Sequence, residues 1–185
     1  SLFEYRTVNY SSIGSEHFNY ISALQKSIRG SHVDGALYWL ARIMNSGENP
    51  NYILRRLLRI SYEDIGLADL QSQELCLTGW SSFERLGSPE GDIILAQLVI
   101  YLALAPKSNS TKSSYSRARN LADNTSHFFS PKVLFGLRES KETSDGEKYV
   151  TDHNSKDGCY GYNFLPDDLK EQKFYHPAPR GQERE

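Results

Sequence analysis

The stretch IILAQLVIYLALA, residues Ile93 to Ala105, decides how this chain folds. Its 13 residues, Gln97 among them, are too few to cross a bilayer, which takes roughly 20. Ile93, Ile94, Leu95, Leu98, Val99, Ile100, Leu102 and Leu104 occupy nearly the whole circumference of a helix. A helix apolar all round is buried all round. Other helices must therefore surround it, or part of its surface belongs to a subunit interface. Ile94, Leu98, Tyr101 and Leu102 are the residues expected at such an oligomer face, and Trp39 and Trp80 add large apolar area.

Helix punctuation recurs on both sides of this stretch. Upstream, Ser15 is the expected N-cap of a first helix with Phe18, Ile21, Leu24 or Gln25 and Ile28 at helical spacing, ending before Gly30. Ser31 opens a second, striped by Leu37, Leu40, Ala41 and Met44 and ended by Gly47. Asn49-Pro50, a cap followed by proline at the first helical position, starts a third through Ile53, Leu57, Leu58 and Ile60, with Gly66 as its stop. Asp69 caps a fourth, whose core candidates are Leu70, Leu77, Trp80 and Phe83. Ser88-Pro89 repeats the cap-plus-proline signal before the apolar fifth. Downstream, a sixth is expected over about 110–122, with Tyr115 and Ala118 inward and Lys112, Arg117 and Arg119 outward.

The connections are a few residues each, so successive helices should pack as neighbours. The expected fold is all-α, a multi-helix bundle or array with an irregular C-terminal tail. Residues 1–14 read as a lead-in, 15–124 as the helical domain and 125–185 as a tail docking on it through Phe164, Phe174 and Tyr175. Within that tail PDDLK (166–170) forms one helical turn and APRGQERE (178–185) frays.

The 185 residues carry a formal net charge of -2, so no global basic field points to nucleic acid. Cys76 and Cys159 form no disulfide framework and no metal-ligand spacing. No apolar leader precedes the first helix. The first residue is Ser1 and the one methionine is Met44, which reads as a fragment of a longer protein.

Chemistry-bearing residues concentrate in RRLLRISYEDIGLAD, Arg55 to Asp69. Glu63 follows Arg59 by one helical turn, within reach of an ion pair. Adjacent carboxylates on a helix point about 100° apart, so Glu63 and Asp64 do not converge on one metal or proton. A structural charge network of Arg55, Arg59, Glu63 and Asp64 is the expectation. Lys107, Lys112, Arg117 and Arg119, with Tyr115, make a modest positive cluster able to touch nucleic-acid phosphates. The five histidines share no metal-binding spacing, and no phosphate loop or nucleophile elbow is present. No catalytic, cofactor-binding or metal-binding residue is assigned.

Four runs carry a family resemblance: HFNYISALQKSIRGS, DGALYWLARIMNSGENPNYILRRLLRISYEDIGLAD, ERLGSPEGDIILAQLVIYLALAPKSN and FLPDDLKEQKFYHPAPRGQE. They resemble the C-terminal region of the MgsA/RarA family of AAA+ ATPases, which includes the Werner helicase-interacting protein of eukaryotes. The likeness runs almost continuously over 16–109 and resumes over about 164–181. It departs over about 126–161. The resemblance implies a helical domain similar to the clamp-loader collar, one that assembles a homotetramer. It places ATP and magnesium upstream, in the AAA+ domain of a parent protein, with no cofactor here. It also implies DNA and single-stranded-DNA-binding protein as partners of that parent in fork maintenance and repair. No membrane is involved. The location would be cytoplasmic and nucleoid-associated in a bacterium, nuclear in a eukaryote. The alternative reading is a nucleic-acid-binding module contacting single-stranded or forked DNA.

Overall fold

The computed structural model describes residues 10–124 and 165–183, with side chains from Asn19 onward except that of Asp167. Six α-helices and no strand occur among them: α1 (Tyr10–Arg29), α2 (Val33–Asn45), α3 (Pro50–Ile60), α4 (Gln71–Leu86), α5 (Asp92–Leu104) and α6 (Ser110–Asn124). A π-helical turn, Ser61–Ile65, and a 3-10 turn, Gly66–Ala68, follow α3. Two more 3-10 turns, Asp167–Leu169 and Gly181–Glu183, lie near the C-terminus. The chain is all-α, as its punctuation predicts. It divides into two compact units, Ser1–Ser113 with His176–Glu185, and Ser114–Tyr175.

In the larger unit α5 is the hub, packed against α1, α2, α3 and α4. Leu95, Leu98, Val99 and Leu102 bury themselves among Ile21, Leu24 and Ile28 of α1, Leu40 and Ile43 of α2, Ile53, Leu54 and Leu57 of α3, and Cys76 and Phe83 of α4. Each such leucine or isoleucine removed from water stabilises the fold by about 1.5–3 kcal/mol. Leu98 is 5% exposed and Leu102 fully buried. Those two, expected at an oligomer face, belong instead to this chain's own core. The apolar surface that α5 leaves open is a different stripe. Ile93 and Leu104 are 71% and 70% exposed, with exposed Gln97 and half-buried Ile100 between them. Their spacing of four, three and four residues keeps them on one side of the helix.

Several helix boundaries differ from expectation. α1 runs through Ser15 from Tyr10, five residues inside the expected lead-in; no proline interrupts that stretch and the helix carries Gly14 within it. The cap of α2 is His32, not Ser31: its Nδ1 accepts from the Gly35 N–H at 2.9 Å, while Ser31 takes φ 55° in the preceding turn. Asn49 caps α3 as expected, its Oδ1 accepting from Asn51 N–H at 2.9 Å with Pro50 at the first position. Asp69 stands one residue ahead of the N-cap position of α4, Leu70, and its carboxylate accepts from the first helical N–H, Gln71, at 3.1 Å. Ser88-Pro89 does not start α5. The peptide is cis, the turn closes through Gly91 N–H to Gly87 O, and the helix begins at Asp92, whose carboxylate accepts from Ser88 Oγ at 2.7 Å.

Four further side chains depart from their expected places. Ala41 is exposed, Leu70 and Leu77 are about half exposed, and Tyr115 is 67% exposed, so none of the four is core. Trp80 is half-buried and Phe83 buried, in line with the periodicity. The expected fraying of the C-terminus is also corrected over Gly181–Glu183. Gly181–Glu183 coil into a turn packed on Gly66–Ala68, Glu183 is buried, and Leu70 N–H donates to Gln182 Oε1 at 3.3 Å. Phe164 and the divergent residues 126–161 lie outside the described residues.

Candidate functional site

The end of α3 sets the geometry of the charged region. An α-helix leaves its last carbonyls unpaired. Here the chain first widens into the π turn and then tightens into the 3-10 turn, and Gly66 sits at φ 55° between them. Gln73 of α4 ties the two ends of this transition together, adding to the Gly66 N–H that Ser61 O already accepts. Its buried side-chain amide donates to both Ser61 O and Gly66 O at 3.1 Å. The π turn then aims the two neighbouring acids at different targets.

Asp64 turns inward and is 6% exposed. Its carboxylate accepts from Arg29 Nε at 2.7 Å and Gln25 Nε2 at 3.1 Å, both on α1. Its backbone carbonyl accepts from Ser108 N–H at 2.9 Å. One residue thus fastens α1, the π turn and the segment leading into α6. The Arg29 guanidinium is held above its ordinary range, chiefly by the hydrogen bond to Asp64. Glu63 accepts from Arg59 Nε at 2.9 Å and from Lys112 Nζ of α6. These donors, Lys112 first, hold its carboxyl below the usual carboxylate range against the opposing effect of burial.

Lys107 closes the C-terminus of α5. Its ammonium donates to Ala103 O at 2.9 Å, Ala105 O at 2.6 Å and Ser31 Oγ at 3.1 Å, satisfying carbonyls a helix end leaves open. Burial pulls its pKa down, partly countered by Asp64. At the start of α6, Ser108 Oγ donates to the buried carboxylate of Glu183 and bonds Ser110 Oγ at 3.0 Å. Behind α5, Tyr101 donates to Asp69 Oδ2 at 2.7 Å. Burial first, then this acceptor, pushes its phenol up to about 12.

Between these parts opens a cleft of about 470 Å³ lined by Arg29, Glu63, Asp64, Lys107, Ser108, Asn109, Lys112, Ala178, Pro179 and Arg180. Glu63, Asp64, Lys107 and Lys112 of the sequence-derived candidates meet here. Arg55 and Arg59 do not line it: Arg59 reaches Glu63 from outside, and Arg55 stands over the Tyr52 ring, 6.0 Å from its centroid. Arg117 donates to Phe174 O at 2.6 Å within the smaller unit, and Arg119 lies 3.6 Å from Asp123. Sequence reasoning missed Gln25, Arg29 and Arg180. Arg29, a last-turn arginine of the first helix, carried no signal for a partner 35 residues on. Among the described residues no group of three or more His, Cys, Asp or Glu could hold a metal ion. No helix of theirs is long and apolar enough to cross a membrane.

Fold and cleft define an all-α domain whose charges fasten helix ends. Over residues 30–185 the chain matches the family described as MgsA AAA+ ATPase C terminal, and it belongs to that family. It is 38% identical over 181 residues to a protein of Haemophilus influenzae named replication-associated recombination protein A, covering 96% of this chain and 41% of that one. The protein of that name from Escherichia coli K12 is 35% identical, over 96% and 40%. A Dictyostelium discoideum protein named ATPase WRNIP1 is 33% identical, over 95% and 20%. The chain therefore spans about two fifths of the length of the bacterial relatives it matches.

Proposed function

We propose that this chain is the assembly domain of a replication- and recombination-associated AAA+ ATPase, joining copies into a homotetramer in the manner of a clamp-loader collar. Catalysis, with ATP and magnesium, belongs to an upstream domain of the parent protein. DNA and single-stranded-DNA-binding protein are partners of that parent, which works in the cytoplasm of a bacterium or the nucleus of a eukaryote. The observation that carries the reading is the stripe Ile93, Gln97, Ile100 and Leu104. A helix whose opposite side is fully buried keeps two large apolar residues about 70% open to water on this one. Leaving them so forgoes about 1.5–3 kcal/mol of burial for each side chain, which a symmetric contact recovers. Ile94 and Tyr101, half-buried beside the stripe, complete the face. Light scattering at micromolar concentration tests this: a tetramer mass is expected, and a strictly monomeric mass overturns it.

A further inference from the structure

We propose that the cleft between Arg29, Lys107, Lys112 and Arg180 is a binding site for a phosphomonoester. Four cations and two carboxylates line it. Both carboxylates are already engaged, Asp64 by Arg29 and Gln25, Glu63 by Arg59 and Lys112. Lys107 and Arg180 remain. The Lys107 ammonium touches only neutral oxygens, with Asp64 acting on it from farther off. The Arg180 guanidinium has no partner among the described residues. Beyond the lining, Arg59 and Glu183 carry opposite charges and offset one another.

The lining thus presents an excess of two positive charges, which matches the charge of about -1.5 to -2 on a phosphomonoester and exceeds the single charge of a diester. The first turn of α6 opens on the same rim at Ser108 and Asn109, adding the positive end of its dipole. No aromatic ring is among the lining residues, so nothing is present to stack a base. The phosphate is what is held. The volume lies within the range of about 300–1,000 Å³ for small-molecule sites and leaves space for an attached sugar. Arg180 arrives on the C-terminal strap, which is pinned beside it by Gln182 on Leu70 and Glu183 on Ser108.

The group has two sources, the 5′-terminal phosphate of a nucleic-acid strand or a free sugar phosphate. The site lies within one chain, so it stands or falls apart from assembly. Fluorescence anisotropy of this chain at low salt, with single-stranded oligonucleotides bearing a 5′-phosphate or a 5′-hydroxyl, compares the two ends. Ribose 5-phosphate and an acidic peptide serve as competitors. The expected result is binding about tenfold tighter with the phosphate, the worth of one charge-assisted hydrogen bond. Arg180→Glu should abolish the preference, and Arg180→Gln should weaken it, both with unchanged Tm. Ribose 5-phosphate binding that is lost in Arg180→Glu, without discrimination between oligonucleotide ends, supports the free source. Three results overturn the proposal: no preference for phosphate in either arm, a preference that survives Arg180→Glu, or displacement by the acidic peptide more readily than by ribose 5-phosphate.

Discussion

Gly181→Ala should release the C-terminal strap while leaving the helical core folded. At Gly181 the backbone takes φ 56°, and a Cβ there would stand 2.0 Å from Ala68 O and 2.7 Å from Pro106 Cγ. The left-handed backbone alone costs a residue with a Cβ about 1–2 kcal/mol. The overlap with Ala68 cannot be relieved by turning a side chain, because the opposing atom is backbone. Undocking is the cheaper response, and it caps the loss at what docking contributes. That is about 1 kcal/mol for the Leu70–Gln182 bond and about 1.5–3 kcal/mol for the charge-assisted bond from Ser108 to Glu183. A total of about 2.5–4 kcal/mol, at roughly 2–4 °C per kcal/mol for a chain of this size, lowers Tm by about 5–16 °C. Differential scanning fluorimetry reads that shift. Hydrogen exchange locates it, with faster exchange at 181–183 and at Leu70 and little change in α5. An unchanged Tm with unchanged protection at Leu70 would refute the argument.

Four other outcomes are expected. If copies join as proposed, Ile93→Lys with Leu104→Glu should yield a monomer at constant helicity, whereas Leu98→Lys should unfold the chain, because Leu98 is core; circular dichroism and light scattering separate the two. Gln73→Leu removes one donor from each of two buried carbonyls, of which Ser61 O keeps the Gly66 N–H, and a loss of roughly 1–3 kcal/mol should appear in urea unfolding. Glu63 titrates below its ordinary value of about 4.3, so its contribution is full above that pH and is lost as pH falls through the depressed folded value. Glu63→Gln should flatten that acid limb of stability against pH, and a limb of unaltered slope would count against it. Burial raises the Cys76 thiol to about 11, so it should react with a disulfide reagent only as fast as the chain opens.

The helices were legible because each carries its signal within a few residues: the Asn49-Pro50 start, the Asp69 cap, the all-apolar run at 93–105. What the sequence hid is long-range. The circumference of α5 reads as uniformly apolar, and only the placement of α1 to α4 around it assigns Leu98 and Leu102 to the interior and Ile93 and Leu104 to the surface. Ser88-Pro89 mimics a helix start chemically, and the turn closed at Gly91 overrides it. The charge network illustrates the same limit. Arg59 and Glu63 pair locally, one turn apart, and could be read. The Asp64 partners on α1 and the closure of the cleft by Arg180 depend on contacts between distant segments, for which spacing gives no signal. His32 as a cap was missed for a simpler reason: a neutral imidazole accepting a backbone N–H does the work usually assigned to serine.

The π turn at Ser61–Ile65 acts as a phase shift in the chain. One residue beyond the regular helical count rotates everything after it by about 100°. Deleting a single residue within 61–65 would therefore let α3 continue as an ordinary helix of better local geometry. It would swing Asp64 off Arg29 and Gln25, draw Ser61 and Gly66 away from Gln73, and misdirect the approach to α4. A locally more regular helix would make a globally worse protein. In this segment length, more than the identity of the residues, is what the fold holds fixed.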